Sequence, residues 1–358
     1  MTAIMAPALP AGIARHFGAT PERCAFVAKV QNAIFRVSGG AQDTILRLTP
    51  RTHRSSAQVM AEIDFLRHVH AEGVPVCAPI PTVDGDWTVQ GVLEDGQPVT
   101  AVAFTLAPGD IGAQAHWHAA TFRAWGELLG RLHLAALSYE APPNAPQRHG
   151  WVKNAFDLES VDSGEGADTG TAALHLLELE SELQNALPQS HDSFGLIHSD
   201  LHLWNFAVQS APASGGAGPL LTAFDFDNAE YHWFLADIAT AVFEAATCAF
   251  QTLPRQEFIA DFLSHLLAGY GKHRTLSFCQ LRQLPQLIRL RQIRIFFVLS
   301  HRWRDRLRAQ TLGPFQQRFF NDLRDSVVHN RPFMEAATLQ RVLSQAKACE
   351  GCVDMCEF

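Results

Sequence analysis

Apolar and polar residues alternate along the first third of the chain, and helical spacing takes over afterwards. Residues 25–30, 34–37 and 44–48 carry the two-residue period of half-buried strands, and Ser38-Gly39-Gly40-Ala41-Gln42-Asp43 turns the second into the third. A short helix near residues 13–17 precedes them. Ser55 or Ser56 caps a helix reaching about residue 70, whose Val59, Ile63, Leu66 and Val69 share one face, and Gly73 closes it. After a Pro-rich connector (74–81), strands are predicted at 87–93 and 99–106 around Glu94-Asp95-Gly96. Ala107-Pro108-Gly109-Asp110 breaks the pattern. Beyond it, residues 117–137 present Phe122, Trp125, Leu128, Leu129 and Leu132 as a broad apolar helical face. Residues 140–170 read as a long loop and 172–186 as a helix. Residues 195–208 read as strand, tight loop and strand, 210–219 as a hairpin tip, and 220–224 as another strand. Everything from residue 237 has helical period. The expectation is an α+β protein of two lobes, a small β-rich one over residues 1–107 and a larger helical one over 108–358, with a cleft between them.

Composition changes this picture little. The 358 residues are 47% hydrophobic and 18% charged, as in ordinary globular proteins. A formal charge of −8 argues against a general nucleic-acid binder and is compatible with a cationic substrate. The N-terminus lacks the basic and apolar regions of a secretory signal. The apolar run 295–299 falls far short of the ~20 residues that span a bilayer, so no membrane partner is expected. Seven cysteines, an odd number, read as reduced thiols in a cytoplasmic protein. The arginines between residues 282 and 308 interleave with Leu287, Ile288, Ile293, Phe296 and Phe297, which predicts a core helix with a solvated basic face. Cys349, Cys352 and Cys356 offer three thiols where zinc takes four ligands.

The candidate chemistry sits in His198-Ser199-Asp200-Leu201-His202-Leu203-Trp204-Asn205, a polar cluster between two apolar runs, and in Phe224-Asp225-Phe226-Asp227. An Asp, an Asn and a further Asp, each at a strand end, are what metal-assisted phosphoryl transfer requires. Asp200 would receive the hydroxyl proton, while the amide of Asn205 and the carboxylate of Asp225 hold magnesium against the phosphates. Asp227 is a second carboxylate for that metal, with Asp225 preferred. His198, Asp200 and His202 also have the spacing of a transition-metal cluster, which would make the chain a zinc metallohydrolase. A hydrolase needs a further ligand station, and carboxylates at 225 and 227 suit hard magnesium better. Glu230, His232 and Asp237 follow, as ligands for an amine-bearing substrate or, for Asp237, as the N-cap of a helix over 238–243, the reading preferred.

In order and spacing these motifs resemble the aminoglycoside phosphotransferase and choline kinase family, small-molecule relatives of the protein kinases that include type II homoserine kinases and a stress-response kinase. His198 to Asn205 matches its His-x-Asp-x4-Asn loop, and Phe224-Asp225-Phe226-Asp227-Asn228-Ala229 its metal station. Leu129-Gly130-Arg131-Leu132-His133 and Trp233-Phe234-Leu235-Ala236-Asp237-Ile238-Ala239 are similar to flanking segments. The resemblance implies a protein-kinase-like fold and an ATP- and Mg2+-dependent kinase with Asp200 as catalytic base. It implies as acceptor a hydroxyl of a small, amine-bearing molecule of amino alcohol, amino acid or aminoglycoside type. It places Arg47 where kinases carry the phosphate-gripping lysine, with Glu62 as ion-pair partner; alternation, with Leu46 and Leu48 inward, would instead leave Arg47 on the surface. No Gly-x-Gly-x-x-Gly is present, so Asn32 in the turn at 30–33 takes the phosphate contact, and Phe104 to Leu106 offer backbone groups to adenine. A protein Ser/Thr kinase and an inactive nucleotide-binding module remain open within the same family.

Overall fold

The structure, a computed structural model, describes residues 9–112, 114–143, 145–151, 166–210 and 218–349. The chain is α+β and divides into two compact units. The first comprises Met1–Gly109 together with Ser138–Arg148 and Thr222–Asp227. The second comprises Asp110–Leu137, His149–Leu221 and Asn228–Phe358.

The first unit opens with α1 (Ala11–His16) and builds an antiparallel sheet from β1 (Cys24–Lys29), β2 (Ala33–Val37) and β3 (Thr44–Pro50). Helix α2 (Ser56–Ala71) follows. Its Ser55 cap and Gln58 form a reciprocal capping box, which satisfies two otherwise orphaned backbone donors and sets where the helix starts. Gly73, at φ +75°, takes the left-handed turn that ends it. The Pro-rich connector supplies a strand absent from the sequence reading, β4 (Pro79–Ile80), before β5 (Val89–Val92) and β6 (Pro98–Thr105). The sheet order is β1-β2-β3-β6-β4, with β5 also on β6. One face buries Leu46 and Leu48 with Phe35, Val99 and Ala101 against Ile13 and Ala14 of α1. The other face of β3 is covered as well, because Arg47 is buried against Glu62 of α2. The surface placement that simple alternation gives Arg47 is thereby corrected: both faces of β3 are covered.

The second unit contains β7 (Asp110–Ile111), α3 (Ala119–Leu137), α4 (Gly166–Ala186), β8 (Phe194–Ile197), β9 (Phe206–Gln209), the first half of β10 (Leu220–Ala223, whose Thr222 and Ala223 belong to the first unit), β11 (Glu230–Trp233), α5 (Phe234–Thr247), α6 (Arg255–Tyr270), α7 (Phe278–Leu281), α8 (Leu284–Arg302), α9 (Arg304–Arg308), α10 (Pro314–Val328) and α11 (Ala336–Cys349). Helix α4 starts six residues earlier than predicted, so the loop read over 140–170 is shorter; its residues 152–165, like the hairpin tip at 211–217 and Cys352 and Cys356, lie outside the described residues. Helices α3 and α6 meet backbone to backbone at Gly126 and Gly269, where a Cβ on either would lie 1.8 Å from a carbonyl oxygen of the other helix. The arginines of α8 depart from the sequence reading. Arg289 is buried, and Arg291 and Arg294 are largely so, each bonded to carboxylates or carbonyls inside the unit rather than lining a solvated face. No helix among the described residues is long and apolar enough to cross a membrane.

Candidate active site

The loop over residues 198–205 is strung between two sheets. Upstream, β8 pairs antiparallel with β11, with Ile197 opposite Glu230 and Phe194 opposite Trp233. Downstream, β9 lies between β7 and β10. Both ends of the loop are therefore fixed by ladders, while its middle takes an irregular path. Ser199 sits at φ +65°, a region a non-glycine residue enters only when its surroundings hold it there.

Those surroundings are two carboxylates. Asp237, fully buried in the first turn of α5, accepts the backbone N–H groups of His198 (3.1 Å) and Ser199 (2.7 Å). It also accepts a bond from His133 Nε2 at 3.1 Å. A carboxylate only accepts, so Nε2 carries the His133 proton, leaving Nδ1 to accept from the Tyr270 hydroxyl at 3.0 Å. Burial outweighs the Asp237 charge and lowers the His133 pKa, which keeps the ring neutral in this chain of bonds. Glu230, also buried, accepts the Ser199 hydroxyl at 2.6 Å and lies 3.6 Å from Arg294. The sequence reading preferred Asp237 as an N-cap and offered Glu230 and His232 to an amine substrate. All three are interior instead: Asp237 holds the loop backbone, Glu230 holds the Ser199 side chain, and α5 is capped at Trp233, which leaves Asp237 inside the helix rather than at its cap.

Asp200 follows the strained residue directly. Its Oδ1 accepts from Arg291 at 2.5 Å and its Oδ2 from Asn228 Nδ2 at 3.1 Å. Burial works against the charged carboxylate, but the charges of Arg291 and His202 more than offset it and hold the pKa below the usual range. Asn205 donates from Nδ2 to the Asp200 carbonyl at 2.9 Å, so the two candidate residues are locked in one loop geometry. His198 is fully buried, and its Nδ1 lies 3.4 Å from the Asp200 N–H, a brace for the loop.

The remaining candidates lie in the first unit. Arg47 and Glu62 form a buried two-bond fork, at 2.8 and 2.7 Å. The Arg47 guanidinium stands 5.2 Å from the Phe104 ring centre and 4.0 Å from Asp225 Oδ1. Asp225 is itself at φ +65°, with its side chain 49% exposed. Asp227 is buried and surrounded by donors: His53 Nε2 at 2.6 Å and Asn32 Nδ2 at 3.3 Å on Oδ2, with Arg54 Nε 3.5 Å from Oδ1. Burial opposes its charge, yet His53, Arg47 and Arg54 together pull its pKa far below the usual range. Arg148 donates to the Asp227 carbonyl at 2.6 Å and to the Gln58 carbonyl at 3.1 Å, tying this station to the start of α2. Phe104 is packed between β3 and β4, opposite Ile45 and Pro79, whereas Leu106 lies past the end of β6 and is exposed.

Sequence reasoning missed His53, Arg54, Arg148, Asn228, Glu244 and Arg291. For His53 and Arg54 a signal existed, since three basic side chains, Arg51, His53 and Arg54, fall between the phosphate-station strand and the α2 cap. For Arg291 the only signal was its three-residue spacing from Arg294, which puts both on one helix face.

Asp225, Asp227 and the amide oxygen of Asn205 are hard oxygen donors of the kind that magnesium and calcium take. Asp227 Oδ1 is buried with no hydrogen-bond partner among the described residues and has the Arg54 guanidinium 3.5 Å away. Among those residues, no group of three or more His, Cys, Asp and Glu is arranged to hold a metal, so the His198–Asp200–His202 spacing does not assemble a zinc cluster.

The model of the phosphotransferase enzyme family, APH, matches residues 24–276. The chain belongs to that family. It is 26% identical over 330 residues to the amicoumacin kinase of Bacillus subtilis (strain 168), across 89% of this chain and 91% of that protein. The solved structure of amicoumacin kinase hAmiN in complex with AMP-PNP, Ca2+ and Ami superposes with a TM-score of 0.80 at 25% identity, covering 92% and 94% of the two chains. A microcompartment-associated aminopropanol kinase shares the fold, with a TM-score of 0.66 at 19% identity over 94% and 95%. The family resemblance read from the loop motifs and the α+β, kinase-like fold class are thereby established, and the chain is a phosphotransferase.

Proposed function

We propose that this phosphotransferase moves the γ-phosphate of ATP to a hydroxyl of a small, amine-bearing molecule. The observation that carries the reading is the held geometry of the 198–205 loop: a strained Ser199 pinned by Asp237 and Glu230, with Asp200 ionised and Asn205 locked to it. The family supports small-molecule phosphotransfer, and the aminopropanol kinase bears an amine in its substrate's name.

In this reading the acceptor oxygen bonds to the γ-phosphorus as the bond to the β–γ bridging oxygen breaks, and ADP leaves with that electron pair. Asp200, held ionised, orients the acceptor O–H and takes its proton as the new bond matures. Arg47, fixed by Glu62, and Arg54 supply positive charge on the nucleotide side; Asn32 serves phosphate and the backbone from Phe104 to Leu106 serves adenine. Magnesium, when bound, neutralises the β/γ-phosphate charge, and Asn205, Asp225 and Asp227 would hold it. Asp225, the more accessible carboxylate, is the better placed of the two.

The test is Asp200→Ala and Asp200→Asn against a panel of 1-amino-2-propanol, homoserine, choline, hydroxylysine and kanamycin. ADP formation should fall by about a thousandfold or more, while AMP-PNP still raises the melting temperature. Wild-type rates in both variants would remove Asp200 from the chemistry; transfer to Ser/Thr proteins with none to the panel would replace the acceptor class.

A further inference from the structure

Arg291 of helix α8 reaches the catalytic loop. One guanidinium nitrogen of Arg291 donates to Asp200 Oδ1 at 2.5 Å and to Glu244 Oε1 at 2.7 Å. Arg291 Nε lies 3.2 Å from the same Glu244 oxygen, and the third nitrogen 3.5 Å from the Ser199 carbonyl. The three side chains are only 17%, 20% and 22% exposed for Arg291, Asp200 and Glu244. That matters because an isolated surface pair is screened and floppy, whereas a part-buried, three-member cluster bridged by a planar fork fixes directions.

Glu244 stands seven residues after Asp237 on α5, two helical turns along the same face. One helix face therefore serves the loop twice. Asp237 holds the backbone at 198–199, and Glu244 holds the arginine that holds the Asp200 carboxylate. With Asn228 on Oδ2, the carboxylate has a donor on each oxygen and no freedom to rotate without breaking a charged bond.

We infer that Arg291, oriented by Glu244, is a positioning residue for Asp200, fixing the carboxylate plane that receives the acceptor hydroxyl. This rests on the reading of Asp200 above. The competing explanation is a purely structural tie between α8 and the loop, whose loss would loosen the fold without a specific effect on turnover.

The experiment measures ADP formation from Mg-ATP by the full chain, with water alone and with 1-amino-2-propanol, homoserine and choline. The variants are Arg291→Ala, Arg291→Lys, Glu244→Gln and Asp200→Ala. Arg291→Ala should lower kcat about 100-fold with KM for ATP unchanged, and guanidinium ion at sub-denaturing concentration should restore part of that rate but none in Asp200→Ala. Arg291→Lys, a point charge without the separate nitrogens that reach Glu244 and the Ser199 carbonyl while a third bonds Asp200, should remain about tenfold down. Glu244→Gln should show the same loss in kcat alone. The inference is overturned if Arg291→Ala turns over within threefold of wild type while Asp200→Ala is inactive. It is equally overturned if the loss follows the melting temperature and AMP-PNP binding, with no guanidinium rescue. Should Arg291→Ala fail to fold, the Lys and Gln variants decide by the same kcat criterion. Activity retained in Asp200→Ala would sink the parent reading instead.

Discussion

Replacing Asp237 tests the loop brace most directly. In Asp237→Ala, two backbone N–H groups and the His133 Nε2–H lose their acceptor inside the protein. At about 1–3 kcal/mol for each orphaned buried donor, less the desolvation cost that the carboxylate no longer incurs, the loss is about 4 kcal/mol. An unfolding entropy of about 2.1 cal/mol/K per residue gives ~0.75 kcal/mol/K for a chain of this length, so the melting temperature falls by about 5 °C. Asp237→Asn distinguishes hydrogen bonding from bulk. His198 N and His133 Nε2 share Oδ2, and Ser199 N uses Oδ1. An amide oxygen in the Oδ2 place keeps two of the three bonds and turns an NH2 toward Ser199, for a loss of about 2 kcal/mol. Because Ser199 would then leave its φ +65° conformation, Asp200 shifts and phosphotransfer falls in both variants, more than the stability change alone accounts for. Urea unfolding and ADP-release assays measure the two effects. Variants that unfold at the wild-type midpoint and turn over at the wild-type rate would refute the brace.

Two other outcomes follow from the packing. Gly126→Ala would drive a Cβ to 1.8 Å from the Leu266 carbonyl oxygen and should cost at least about 3 kcal/mol or prevent folding, whereas Gly170→Ala in α4, with nothing within 4 Å, should be neutral or stabilising in urea melts. Equal effects at the two sites would contradict the helix contact. Two buried imidazoles make stability fall with pH in the mildly acid range. Burial holds the His232 pKa well below its unfolded value of about 6.5, so below that pH the unfolded chain binds a proton that the folded chain does not, and stability falls as pH falls. Between pH 7.5 and 5.5 this amounts to about 1.4 kcal/mol for His232, and His133 adds in the same direction. Asp200 and Asp227, whose folded pKa values are depressed, contribute stability that is lost only below the carboxylate range and leave this window unaffected. A urea midpoint that is flat or rises from pH 7.5 to 5.5 would contradict the assignment, as would an unchanged slope in His232→Asn.

Local chemistry was enough to read much of this protein. Alternation placed β1, β2, β3, β5 and β6 to within a few residues, because one face of each lies on a continuous core, but it did not show that β3 is covered on its other face as well. The Ser55 cap and Gly73 terminator of α2 were legible because capping is decided within one turn. Asp200, Asn205 and Asp225 stood out as a set, since any one alone reads as an ordinary turn residue, and the family match confirms the resemblance they carried together. Most of the partners were illegible from the residues alone. Glu62, 15 residues from Arg47, was paired with it only through the family resemblance. Asp237, 38 residues from the loop it holds, and Arg291, 91 residues from Asp200, were not placed beside them. Nothing in a periodicity distinguishes a helix arginine facing solvent from one facing a carboxylate, since both keep the helical spacing. The sequence determined which residues could carry charge, bond phosphate or end a helix, for those are properties of side chains and near neighbours. Which charges meet in the interior, and hence which of the many Asp, Glu and Arg serve the reaction and which serve the scaffold, was decided only when the chain closed on itself, because burial pairs groups by distance in space.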